Sequence, residues 1–507
     1  MKRRLSLLLL GTLLSGCAVG PDYEKPDLPA PSKFAAAESA ARQPSVDPAT
    51  WWKSLNDSEL NSLVERAAAA NPDLAVALYR LQEARTQEAV LVGAALPRGD
   101  FAGAAGNGTG SDVTRGRVPS TLTSANNTAD LPTRQIRQIG GFDAVWELDL
   151  FGQYRRAIEA GIYDAQAAAE ARNQVLVSVI SDLVRAYVDL RGLQMRLAVL
   201  GQDIDAATRS RDYVKLRYEH GLTNELDLTL AERELSSLIS QRAPLAAQAD
   251  AARYTIAALT GRYPEDLAGE LADVRPIPVL PARIEPGLPL QLIERRPDIR
   301  QSEAQLAAAN ARIGVAIGNL FPHIGLDASV GTEFDQTGFN PAHGTHIWSL
   351  GPAAYWSILD FGALDAQVDI ADYRTKEQLE LYRRSILTAV RDVDGAVEAF
   401  SAQQDSVANL GDALAQAQRA VMLASERYNR GLTDYLNVVD AERRLYELEA
   451  QLITAQQGAG ENFVTVFRSL GGGWEGFQDT PDIRLPHPAI AAMVERLVTP
   501  IHDSSVK

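Results

Sequence analysis

The six histidines are scattered along the chain, and none stands at the spacing that zinc sites use. No nucleophile–base set stands out either, so bond-making chemistry has no evident centre. The run Gly106-x-Gly108-x-Gly110 lacks the strand-to-helix context and the following lysine of a phosphate loop. Asp360-Phe361-Gly362 spells a triplet used by protein kinases, but no kinase glycine loop or catalytic loop accompanies it, and the match is a coincidence. These observations argue against an enzyme and call for no cofactor. The net charge of −16 argues against nucleic acid as a partner.

One side chain does have a clear chemical setting. Cys17 is the only cysteine, which excludes disulfides within a protomer. Lys2, Arg3 and Arg4 precede an apolar run, Leu5 to Leu14, that is too short to span a bilayer and reads as an export signal covering residues 1–16. Leu14-Ser15-Gly16-Cys17 resembles a bacterial lipobox, after which the signal is cut and the cysteine is acylated. Two or more acyl chains give stable anchoring. Ala18 in place of Asp favours, by similarity to sorted lipoproteins, the outer membrane. Residues 17–50, rich in Pro and Ala, then read as an extended tether with no core of its own.

The remaining chain is dominated by period. Ile386, Val390, Val393, Val397, Phe400, Val407, Leu410, Leu414, Ala417, Val421, Ala424 and Tyr428 keep a 3.5-residue spacing, interrupted by Gln404. An offset of 210 returns the pattern, from Leu176 and Ile180 through the interruption Gln194 to Val214 and Tyr218. A helix from Gly152 to Tyr218 would reach about 100 Å at 1.5 Å per residue. The chain therefore holds two copies of one module. The first spans 51–263, with strands near 98–108 and 136–151 and long helices over 152–261. The second spans 290–473, with strands near 322–332 and 345–361 and long helices over 362–470. A linker with six prolines occupies 264–289, and 474–507 form a C-terminal tail.

In each copy the period falls to two after an X-Pro step. Ile324, Leu326, Ala328 and Val330 alternate with Gly325, Asp327 and Ser329; Phe142, Ala144, Trp146 and Leu148 alternate with Asp143 and Glu147, Val145 being an exception. Apolar-outward strands of about ten residues fit a transmembrane β-barrel, and a half-buried soluble sheet would alternate similarly. The export signal favours the barrel. Gly106 to Arg134 and Thr332 to Thr345 read as solvated loops. Four strands cannot close a barrel, and an open edge in lipid leaves backbone groups unpaired, so an oligomer is required. Its size is open, since two copies would give eight strands and three would give twelve.

Each long helix ends in a matching turn: Tyr218-Glu219-His220-Gly221-Leu222-Thr223-Asn224 and Tyr428-Asn429-Arg430-Gly431-Leu432-Thr433-Asp434. The glycines suit a helix C-terminus of positive φ, and Asn224 and Asp434 suit the N-caps of returning helices. Asp227 and Asn437 then fall at the third helical position, where capping is a sufficient explanation. Asp440 lies beyond any capping role.

The lipobox, the duplicated modules and the Gly-Leu-Thr turns together resemble the TolC/OprM-like outer membrane efflux proteins, in their lipoprotein branch. The segments that carry the likeness are Cys17-x-x-Gly20-Pro21-Asp22-Tyr23, Leu292 to Arg300 and Tyr428 to Ala441. The resemblance implies a mainly α protein with a β-barrel part: a homotrimer with one 12-stranded barrel in outer membrane lipid and a periplasmic α-helical coiled-coil tunnel. It implies the exit duct of a tripartite pump, working with a periplasmic adaptor and an inner-membrane transporter of the resistance–nodulation–division class. It places Asp440 and Leu436 in rings that narrow the periplasmic mouth, with Asp434, Asn437 and Asp227 beside them. Tyr428 becomes a latch, for which Arg430 is the available cation. Gly221-Leu222-Thr223 and Gly431-Leu432-Thr433 become docking tips for the adaptor, although ordinary helix-to-helix turns also explain the glycines. A type I protein secretion duct and an envelope spacer lipoprotein without a channel are the competing readings.

Overall fold

The computed structural model describes residues 18–28, 31–36, 46–109, 134–281, 283–287, 289–337 and 343–477. Cys17, most of the loop after Gly106 and residues 478–507 lie outside them. After a short 3-10 turn, Pro48–Leu55, the chain forms α1 (Ser58–Ala70), α2 (Pro72–Ala94), β1 (Arg98–Thr109) and β2 (Arg134–Leu148). The 67-residue α3 (Gln153–Glu219) and α4 (Glu225–Leu259) follow. The second copy repeats this as α5 (Pro289–Arg295), α6 (Pro297–Gly318), β3 (His323–Thr337), β4 (His343–Tyr355), the 67-residue α7 (Ala363–Asn429) and α8 (Leu436–Ser469).

The four strands form one antiparallel sheet in the order β1-β2-β3-β4. Phe101, Phe142, Val330 and Trp348 stand in one cross-strand row and are all exposed. The next row, Asp100, Asp143, Ser329 and Ser349, points to the other face, where the two serine hydroxyls bond at 2.8 Å. No described helix is long and apolar enough to cross a membrane. The strands start and stop differently from expectation. β1, β3 and β4 run into the segments read as loops, because small polar residues still pair along a ladder. β2 stops at Leu148 and β4 at Tyr355, short of 151 and 361.

Both strands stop where β3 begins, since Leu148 pairs with Ile324 and Tyr355 with His323, and a corner then feeds each long helix. Asp149 accepts from the amides of Tyr154 and Arg155, and Asp360 from those of Gly362 and Leu364. Gly152 and Gly362 hold φ of 80° and 82°, which only glycine adopts without strain. Trp146 and Trp356 brace the same corners by donating to the Ala95 and Leu320 carbonyls at 3.2 and 3.0 Å, at the ends of α2 and α6.

A second duplicated brace closes each copy on itself. Asn71, before Pro72, caps α2 and donates to the Leu259 carbonyl at the end of α4. Arg296, before Pro297, donates to the Ser469 carbonyl at the end of α8 at 2.6 Å. Both groups are buried.

The core follows the heptad pattern around α3, where Leu176, Ile180, Leu183, Tyr187 and Leu190 are buried together with Trp51, Phe463 and Phe467. The two polar interruptions have a shared purpose. Gln194 donates to the Leu271 carbonyl at 2.8 Å and Gln404 to the Pro281 carbonyl at 3.2 Å, so each amide satisfies a backbone group of the proline-rich linker. The linker thereby lies against the helices, with Leu267, Leu271 and Ile284 buried.

The expected free tether is also docked. Val19 N–H bonds to the Phe151 carbonyl, and Arg156, which is buried, reaches the Val19 and Gly20 carbonyls and Asp22. A Cβ on Gly20 would stand 2.5 Å from the Gly314 Cα, a contact only two glycines permit. Phe34 is 1% exposed. Proline-rich composition predicts the extended backbone but not the surface it lies on.

Candidate functional site

The tips of the long helices bring the candidate residues together. Both turns close with the same hydrogen bonds: Leu222 N–H to the Arg217 carbonyl and Gly221 N–H to that of Tyr218, with Leu432 to Arg427 and Gly431 to Tyr428 in the second copy. Gly221 and Gly431 both sit at φ 71°. This is a Schellman end, and it satisfies carbonyls the helix leaves free. Leu222 and Leu432, at the two apices, are exposed, at 67% and 63%.

The returning helices begin differently. Asn224 caps α4 by accepting from the Asp227 amide, and the Thr223 hydroxyl donates to the Asp227 carboxylate. Asp434 does not act as the side-chain cap expected of it. α8 begins at Leu436 after Tyr435, and Asp434 contributes its carbonyl to the Asn437 amide. Asn437 instead reaches back with its side chain, donating to Thr433 Oγ1 at 2.7 Å. A carboxylate can only accept whereas an amide also donates, so the Thr–Asp pair of one turn becomes a Thr–Asn pair with the proton reversed.

Tyr428 is buried and sits against Tyr435, with ring centres 5.2 Å apart. Val214, Ala231, Val438 and Val439 complete a small cluster that joins both copies at the tip. The cation over Tyr428 is Arg217 of α3, 4.9 Å from the ring centre, rather than Arg430. Arg430 is exposed and pairs with Glu426 on its own helix. The Tyr428 hydroxyl has no hydrogen-bond partner among the described residues. Tyr435 bonds to Ser210 of α3 at 2.8 Å, and burial raises its phenol to about 12. The first copy's equivalent of Tyr428, Tyr218, is exposed at 40%.

Leu436 and Asp440 lie one turn apart on an exposed face of α8, with Asp440 held by Arg443 at 2.8 Å. Arg217 and Tyr435 were not singled out by sequence. A usable signal existed in the repeated dipeptides Arg217-Tyr218 and Arg427-Tyr428. Among the described residues no group of His, Cys, Asp or Glu could hold a metal ion.

An exposed apolar sheet face is thus joined to helices about 100 Å long. The family model for outer membrane efflux proteins matches residues 63–262 and 288–472, which together make up most of the chain. The chain is 30% identical over 475 residues to nodulation protein T of Rhizobium leguminosarum bv. viciae, covering 93% of this chain and 94% of that one. It is 30% identical over 473 residues to outer membrane protein OprJ of Pseudomonas aeruginosa, covering 93% and 96%. The solved outer-membrane channel OprN matches with a TM-score of 0.79 and 32% identity, over 90% of this chain and 100% of that one. The chain belongs to the outer membrane efflux protein family. It is an outer membrane efflux channel.

Proposed function

We propose that three copies of the chain join their sheets edge to edge into one 12-stranded barrel and their long helices into a periplasmic tunnel. The observation that carries this reading is the sheet. Its apolar row is exposed, and among the described residues its edge strands β1 and β4 each pair on one side only. Such edges in lipid require neighbours. The half-exposed heptad residues Val407, Leu410, Leu414 and Val421 on α7 call for the same remedy.

The trimer is the passive exit duct of a tripartite pump for small molecules, with an inner-membrane transporter of the resistance–nodulation–division class and a periplasmic adaptor. Acyl chains on Cys17 anchor it in outer membrane lipid, and it needs no other cofactor. The adaptor meets the exposed apices Leu222 and Leu432 with their neighbours Gly221, Thr223, Gly431 and Thr433. Under threefold symmetry Leu436 forms an apolar ring and Asp440 a carboxylate ring, which slow passage by dewetting and favour cations. Tyr428 and Arg217 hold the mouth shut, and the turns built on Asp227, Asp434 and Asn437 set its shape. Purified protein in planar lipid bilayers tests the reading. Cation-selective conductance from a trimeric species is expected, and an impermeable lone protomer overturns it.

A further inference from the structure

Carboxyl groups meet one another across the seam between α3 of the first copy and α8 of the second. Asp203 of α3 is buried, with Glu449 of α8 beside it. Two carboxylates side by side in a buried seam repel, and a proton on one of them relieves the repulsion. Nearer the sheet, the Gln457 side-chain nitrogen donates to both Asp189 and Glu461, at 2.9 and 3.3 Å, gathering two acids around one amide. Nearer the tip, Glu442 of α8 lies beside Ser210 of α3 and faces Glu234 of α4, itself buried.

Few cations offset these acids. Asp203 and Glu234 border a cavity of about 350 Å³ that Arg196, Arg443, Tyr446 and Glu447 also line. Arg443 is held by Asp440. Tyr435, just before α8, and Tyr446 on it flank Glu442, and Arg185 lies beside the Asp189–Glu461 pair. Burial pushes Asp203 well above the usual carboxylate range, and the neighbouring Glu449 adds to the push. Burial raises Glu442 to about 7, with Glu234 adding to it and the Ser210 hydroxyl opposing. Burial, then the Asp189 charge, raises Glu461.

We propose that the α3–α8 seam is a proton-operated clasp, which holds the second copy's helix pair against the first while its carboxyls are protonated and releases it as they ionise. This rests on the reading of the tips as the movable mouth of a duct. A seam that opens returns these groups to water, where carboxyls titrate near 4. The closed form then binds more protons between about pH 4 and about pH 7, so closure is complete at the acid end and is lost as pH rises through that window. One group shifts the balance by at most about tenfold per pH unit there.

Spin labels at Gln202 of α3 and Arg444 of α8, both exposed, report the seam directly. Conductance of the same protein reports the mouth. Moving from pH 5 to pH 8 should lengthen the label distance and raise conductance several-fold. Asp203→Asn with Glu442→Gln mimics the protonated acids and should remove most of both responses; Glu442→Gln alone, the milder change, should remove part. A native response that survives in the double variant, or no native response, overturns the clasp. Labels that separate in a protein that conducts at neither pH support the clasp and count against the duct.

Discussion

The Arg217 guanidinium of one copy covers the Tyr428 ring of the other, 4.9 Å from its centre. A cation over an aromatic face contributes about 0.5–1 kcal/mol where water reaches it. Arg217→Ala should therefore shift the mouth toward its open form by about two- to fivefold, seen as higher mean conductance in planar bilayers. Arg430→Ala removes only a pair with Glu426 on the same helix and should change nothing. Equal effects of the two substitutions would return the latch to Arg430.

Asp440→Ala should reduce cation over anion selectivity, measured as a smaller reversal potential in a salt gradient. Its carboxylate is exposed and borders no core, so thermal stability should stay within about 0.5 kcal/mol of native. Unchanged selectivity would mean that the narrow point lies elsewhere.

Gln194→Leu strands the Leu271 carbonyl, which the amide meets inside the core. The expected loss is about 1–3 kcal/mol of stability, read from thermal unfolding of the protein in detergent. Gln404→Leu should cost less, because that bond is longer and only partly buried. The reverse order would show that the linker is held by its buried leucines alone.

Gly20→Val places a side chain against the Gly314 backbone at a φ of 95°. The arm over residues 18–36 should then lift, and limited proteolysis should cut it many times faster while the helices stay intact. Native-like protection of the arm would contradict the close approach.

Leu222→Ser with Leu432→Ser should abolish cross-linking to a periplasmic adaptor and leave helix content and conductance as they were. Both side chains are exposed and pack against nothing that folding needs. Retained cross-linking would make the turns plain connections.

The duplication, the long helices and the alternating strands were legible because period is written in apolar residues: Leu176 to Leu190 on α3 and Ile386 to Phe400 on α7 behave as the heptads require. Strand ends were not, since β2 and β4 stop where their partner β3 begins, a matter of cross-strand register that has no period. The tips were half legible. Glycines at Gly221 and Gly431 announce the turns, but Asp434 leaves its helix without a side-chain cap and Asn437 reaches back to Thr433 instead. Equivalent residues also meet unequal neighbours, so Tyr428 is covered while Tyr218 is not. Pairing across copies, as for Arg217 with Tyr428, depends on tertiary placement that one sequence does not encode visibly.

The linker crossing the helices at Gln194 and Gln404 gives the long rods a fulcrum. Below it, α3 continues from Gln194 to Glu219, an arm of about 38 Å at 1.5 Å per residue. A swing of about five degrees there displaces the apex by about 3 Å, roughly the width of a water molecule, with the sheet end left at rest. The linker bonds near mid-length thus set the length of the lever, and with it how far a given tilt would carry each apex.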